Sequence, residues 1–279
     1  MKSAFLNLCC VWVFIFCICA FGAVEAQAIT IFPTRVVMTD KEKTAQVEIV
    51  NSGTETESFS IQLERKRMTE TGEFQAVSGE AVPGELFADQ IVRYSPRRFT
   101  LAPGAGQTVR LMLKMPEGLP EGEYRSHLAV SHIPEASDVL SQVKQEKEPT
   151  DITIKLTAFA TIAIPVIVRH GKLNAQLEIK DAVLRPGTGK EPSVVEFTML
   201  RSGTMSVYGD IAVMSVAENG TVEQVAAVNG VAVYVPNATR KARLTLRGKE
   251  ALPANGALRV TFTEQRTAKP LAEASIPLR

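Results

Sequence analysis

Beyond residue 28 the 279-residue chain contains no cysteine and no tryptophan: Cys9, Cys10, Cys17, Cys19 and Trp12 all fall in the first 28 residues. A disulfide framework and a thiol nucleophile are therefore excluded for everything that follows. Surplus charge is also missing. Thirty-one Lys and Arg against 30 Asp and Glu leave a formal net charge of +1, which argues against nucleic acid or a strongly acidic surface as partner. No stretch of about twelve residues carries apolar positions at the three-to-four spacing of an amphipathic helix. Neither a Gly-x-Ser-x-Gly elbow nor a complete phosphate loop occurs; Gly187-Thr188-Gly189-Lys190 lacks the earlier glycine and the following Ser or Thr, and reads as a turn. Histidine is scarce. Of the three, His127 and His132 lie five apart on an expected strand and so point to opposite faces, which spoils them as a zinc pair. No metal, no cofactor and no enzymatic activity are expected.

What is present begins with Lys2 and an almost wholly apolar run from Phe5 to Val24, followed by Ala26-Gln27-Ala28. A charged head, a hydrophobic stretch and a small-x-small site predict a cleaved signal peptide over residues 1–28 and export to an oxidising compartment. An uncleaved membrane anchor is the alternative, because the run approaches spanning length. Lys2 and Glu25 remove one charge of each sign, so the exported chain keeps the balance. Its stability must come from buried cores.

Short stretches of alternating apolar and polar residues, separated by turn residues, dominate the rest: TAQVEIV before Asn51-Ser52-Gly53, FSIQLERK, TVRLMLKM and YRSHLAVSHI. That is the pattern of an all-β sandwich. An internal repeat predicts two of them. Residues 47–63 (VEIVNSGTETESFSIQL) answer to 197–214 (FTMLRSGTMSVYGDIAVM), 100–113 to 234–246, and 119–131 to 252–264, in the same order. We place the first domain at 29–170 and the second at 171–279, joined near His170-Gly171-Lys172. The charged stretch 141–150 reads as a loop.

The segment DITIKLTAFATIAIPVIVRHG, residues 151–171, alternates for longer than an ordinary strand needs. Every second residue from Ile152 to Ile164 is apolar. At about 3.3 Å per residue, thirteen residues reach roughly 40 Å, twice a typical strand. Part of it can serve something outside its own domain. Ile162 and Ile164, nearer the junction, are expected to pack the chain's own core, and Pro165, which lacks an amide hydrogen, is expected to interrupt the ladder.

Phe32-Pro33-Thr34-Arg35-Val36-Val37, then Tyr94-Ser95-Pro96-Arg97-Arg98-Phe99-Thr100-Leu101-Ala102-Pro103-Gly104 with Gln107-Thr108-Val109-Arg110, then Leu119-Pro120 to Ile133-Pro134 and the long strand, resemble in order the PapD-like periplasmic pilus chaperones. The resemblance covers residues 29 to about 170; beyond that it rests on the two-sandwich plan. It implies two immunoglobulin-like domains in an L, a periplasmic location, and a non-enzymatic chaperone that holds incomplete pilin or fibre subunits until an outer-membrane usher accepts them. The mechanism it implies is donor-strand complementation: the long strand lends its side chains and main chain to a subunit that lacks its own last strand. Ile152, Ile154, Leu156 and, more shallowly, Ala158 would then fill the subunit's groove. The resemblance also implies that Arg35 holds the subunit's terminal carboxylate. The family's second basic anchor, a lysine late in the long strand, has no counterpart among Thr161 to Pro165. Glu123 and Arg169 match a pair at the domain junction, expected here to be a surface ion pair of at most about 1 kcal/mol whose role is geometric. The contrasting expectation is an immunoglobulin-like structural or adhesive module that stays in a surface assembly. Whether the free protein self-associates to hide its donor strand is left open.

Overall fold

A computed structural model describes residues 29–134, 161–188, 191–247, 252–253, 255–265 and 267–278. Every regular element among them is a β-strand. Alternation decides the layers. In β3 (Thr44–Asn51), Val47, Ile49 and Asn51 are buried while Gln46 and Glu48 face out, the period of two that covers one face of a sheet.

Two sheets make the first sandwich. One runs in the order β1 (Ile29–Phe32), β3, β9 (Gly106–Leu113), β7 (Val92–Ser95); the other runs β2 (Val36–Thr39), β11 (Thr161–His170), β10 (Gly122–Ile133), β4 (Glu57–Glu64), β8 (Arg98–Leu101). Met38, Val47, Ile49, Leu111, Leu128 and Val166 are almost wholly enclosed between them. A second pair of sheets follows: β12 (Ala175–Arg185), β13 (Val194–Gly203) and β16 (Thr239–Thr245) against β15 (Val222–Val233), β14 (Val207–Ala217), β17 (Gly256–Glu264) and β18 (Lys269–Leu278). Its separate core is built on Met199, Ile211, Leu258 and Phe262. Two sandwiches with two cores make this an all-β, two-domain fold.

The internal repeat corresponds to equivalent strand pairs. β3 pairs with β9 as β13 pairs with β16, and β4 pairs with β10 as β14 pairs with β17. The likeness extends to polar detail at the Ser-Gly-Thr turn. The Asn51 amide donates to the Ala105 carbonyl, and the Arg201 amide donates to the Ala238 carbonyl. Both side chains are buried and donate to main-chain carbonyls: Asn51 Nδ2 to Leu101 at 3.0 Å and Glu55 at 2.7 Å, Arg201 to Asn237 at 2.9 Å and Gly203 at 2.7 Å. Each turn is thus fastened to the turn that precedes the partner strand. Asn51→Ala removes both donated bonds and strands two carbonyls, so a loss of about 2–3 kcal/mol is expected, measurable by urea denaturation.

The long strand is described from Thr161. Ile164, Val166 and Val168 enter the first core, and Ile162 packs partly against it. Pro165 does not interrupt pairing with β10, where the register is continuous from Ser131↔Thr161 to Gly122↔His170. β2 pairs in parallel with β11 only from Val166 to Arg169, so among the described residues Thr161 to Pro165 have no partner strand on that side.

Candidate functional site between the two sandwiches

Alternation along β11 sends Pro165, Ile167 and Arg169 out of the first core, toward the second domain. Ile167 is fully buried there with Met68, Ala232 and Tyr234, a small apolar cluster that joins the two sandwiches. The adjacent strands contribute to the same face. Register puts His127 of β10 opposite Pro165, Arg125 opposite Ile167 and Glu123 opposite Arg169; on the far side of β11, Val37 lies opposite Ile167, so Arg35 falls beside Pro165.

Glu123 and Arg169 meet, but not at the surface. The Glu123 side chain is 0% exposed and accepts from Arg169 Nε at 3.0 Å. From the second domain, the Ser206 amide donates to the same carboxylate at 3.2 Å, and the Ser206 hydroxyl donates to its other oxygen. Arg169 Nη2 donates in turn to the Ser206 carbonyl. The expectation of a weak, exposed pair is therefore corrected: the pair is sealed by a serine 83 residues further along the chain, and a buried pair behaves differently from a surface one.

A second bridge is a hairpin, β5 (Lys66–Met68) and β6 (Phe74–Ala76), that leaves the first sandwich and lies on the second. The Lys241 amide donates to the Glu70 carbonyl at 2.7 Å, and Asn237 Nδ2 donates to the Met68 carbonyl at 2.7 Å. Gly72 stands where a Cβ would strike the Arg240 guanidinium, 2.4 Å from Nη2. Its φ of +91° also belongs to glycine.

Between these bridges lies a cleft of about 320 Å³ lined by Arg35, Phe74, His127, Pro165, Tyr208 and Tyr234 among others. Arg35 stacks its guanidinium 4.3 Å from the Tyr208 ring centre. Its Nε and Nη2 are buried without a hydrogen-bond partner among the described residues, and burial lowers its pKa below the usual arginine range. Arg125 stacks 4.3 Å from the Tyr234 ring centre and donates to the Lys66 carbonyl, with Nε and Nη1 unpartnered among the described residues. His127 is 2% exposed, meets the Phe74 ring edge-on at 4.7 Å, and has no hydrogen-bond partner among the described residues at either ring nitrogen. Burial, then the charges of Arg125 and Lys66, push its pKa down to about 3. The cleft therefore combines aromatic walls with donors that nothing among the described residues satisfies, which suits a small anionic group.

Arg35 thus lies in the cleft, whereas Glu123 and Arg169 meet at the domain junction outside its lining. Ile152, Ile154, Leu156 and Ala158 lie outside the described residues. His132 points to the opposite side of β10 from His127, edge-on to the core residue Phe59. Among the described residues no group of three or more His, Cys, Asp or Glu could hold a metal. His127, Phe74, Tyr208 and Tyr234 were not foreseen as site residues. Only the register of three strands and the docking of a second domain bring them together, and neither leaves a mark in local sequence.

The fold and cleft define a class: two stacked β-sandwiches with a polar notch at their junction. No protein-family model matches the sequence, and no curated protein matches it. Among solved structures the chain is similar to periplasmic pilus chaperones. The class 5 fimbriae chaperone CfaA is 14% identical with a TM-score of 0.45, over 90% of this chain and 99% of that one. The CupB2 chaperone of Pseudomonas aeruginosa is 12% identical with a TM-score of 0.45, over 90% of this chain and 100% of that one. CsuC–CsuE, a chaperone–tip adhesion subunit pre-assembly complex of Acinetobacter baumannii, gives 14% and 0.43, over 90% and 98%. With TM-scores below 0.5, these superpositions decide nothing about function.

Proposed function

We propose that the chain is a periplasmic chaperone for pilus or related fibre subunits, acting by donor-strand complementation and delivering them to an outer-membrane usher. The observation that carries the reading is the edge of β11. From Thr161 to Pro165 that edge has no partner strand among the described residues, and where β2 begins to occupy it, Arg35 waits with unpartnered nitrogens. A foreign strand added there and running parallel to β11 would end in line with β2. Its last carboxylate would then arrive at Arg35, whose guanidinium can donate two hydrogen bonds to it. Main-chain pairing of this kind is how an extended segment adds to an open sheet edge.

The residues just before this edge, Ile152, Ile154, Leu156 and Ala158, continue its alternation and would enter the groove of the subunit. Fully burying one Ile or Leu contributes about 1.5–3 kcal/mol, so three supply several kcal/mol before ordering costs. Glu123, Arg169 and Ser206 hold the two domains at the angle that keeps the cleft open.

Purification of the tagged protein from periplasm tests this. A small all-β subunit lacking one strand should travel with it, and the chain should be absent from assembled fibres. Recovery of the chain itself as a fibre component would instead mark a structural or adhesive module.

A further inference from the structure

We propose that His127 is the second ligand of the carboxylate held by Arg35, an inference that rests on the chaperone reading above. β2, β11 and β10 are neighbours in one sheet, and Val36↔Val166 and His127↔Pro165 fix their register. Arg35, Pro165 and His127 therefore share one row across the sheet and one face. Neighbouring strands lie about 4.8 Å apart, so the outer two residues are about 10 Å apart at the backbone with Pro165 between them. The compact proline ring leaves a notch. An arginine and an imidazole projecting from either side of it can both reach a group seated over the ring, and all three residues line the same cleft.

His127 has what such a ligand needs and no structural reason to be polar. Both ring nitrogens are unsatisfied, and a buried donor without a partner lowers stability. A leucine would serve the fold better. A neutral imidazole can give one N–H to a carboxylate, and a protonated one can give a charge-assisted bond.

The charged and titratable groups around it are Arg125 on its own strand, Glu64 opposite on β4, Lys66, Arg35, and Arg240, Tyr208 and Tyr234 from the second domain. Burial, then the charges of Arg125 and Lys66, keep His127 neutral. An incoming carboxylate opposes both cations, so the proton affinity of His127 rises on binding.

The test uses the purified exported protein and a short N-acetylated peptide of alternating valine and threonine, as free acid and as C-terminal amide. The acid should bind at least tenfold more tightly than the amide, shift the His127 ring resonances in NMR, and raise the His127 pKa from about 3. His127→Gln, which keeps a neutral donor, should bind within about threefold of the native protein, whereas His127→Leu should lose about tenfold or more while unfolding at the same or a higher temperature. Acid-specific binding that needs Arg35 yet leaves the His127 pKa and the His127→Leu affinity unchanged would overturn the role of His127 alone. Equal binding of acid and amide, or none of either, would overturn the carboxylate site itself.

Discussion

Glu123→Ala is expected to lower the stability of the protein by about 3–5 kcal/mol, the range for removing one partner of a buried ion pair. The side chain is wholly enclosed and accepts three hydrogen bonds, two of them from Ser206 in the other sandwich. Its removal leaves the Arg169 guanidinium, itself only 15% exposed, without its counter-charge, and leaves the Ser206 amide without an acceptor. Most of the loss is the cost of those stranded groups. Replacing both Glu123 and Arg169 by Met should therefore recover a large part of it. Because Ser206 of the second sandwich binds this pair across the junction, the single variant should also loosen the second domain against the first, seen as faster cleavage between residues 170 and 175 in limited proteolysis. A loss under about 1 kcal/mol by chemical denaturation would return the pair to the surface type.

The alternation of residues 44–51 or 106–113 reveals a strand because a sheet face buries every second side chain, and that rule acts locally. The repeat was legible for the same reason. Equivalent turns face equivalent demands, down to a buried polar side chain at 51 and 201 that fastens the loop. Glu123 was legible as a partner of Arg169 only through a family pattern, and its environment was misjudged. Burial of a carboxylate depends on Ser206, which local sequence cannot assign. The hairpin 66–76 shows the same limit: nothing local in KRMTETGEF marks that Glu70 and Met68 use their carbonyls to grip the second domain. That no lysine stands among Thr161 to Pro165 was visible in the sequence; that His127 lies across from Pro165 follows only from cross-strand register.

The second large effect concerns the segment that precedes β11. Ile154→Asp together with Leu156→Asp should leave the chain exported and folded, since on the proposed reading both side chains serve the subunit and not the chain's own cores. Two apolar side chains entering a groove contribute about 3–6 kcal/mol, a factor of roughly 10² to 10⁴ in affinity. An ionised carboxylate forced into the same groove adds a further penalty. Hydrogen bonds along the main chain would remain. They are not expected to hold a subunit without the side chains that fix the register.

The direct measurement is the amount of fibre subunit recovered per molecule of tagged protein, for the native chain and for this double variant at equal periplasmic level and equal unfolding temperature. The account predicts near-stoichiometric recovery with the first and a fall of at least a hundredfold with the second. Unchanged recovery would contradict it, because the long strand would then have nothing to donate.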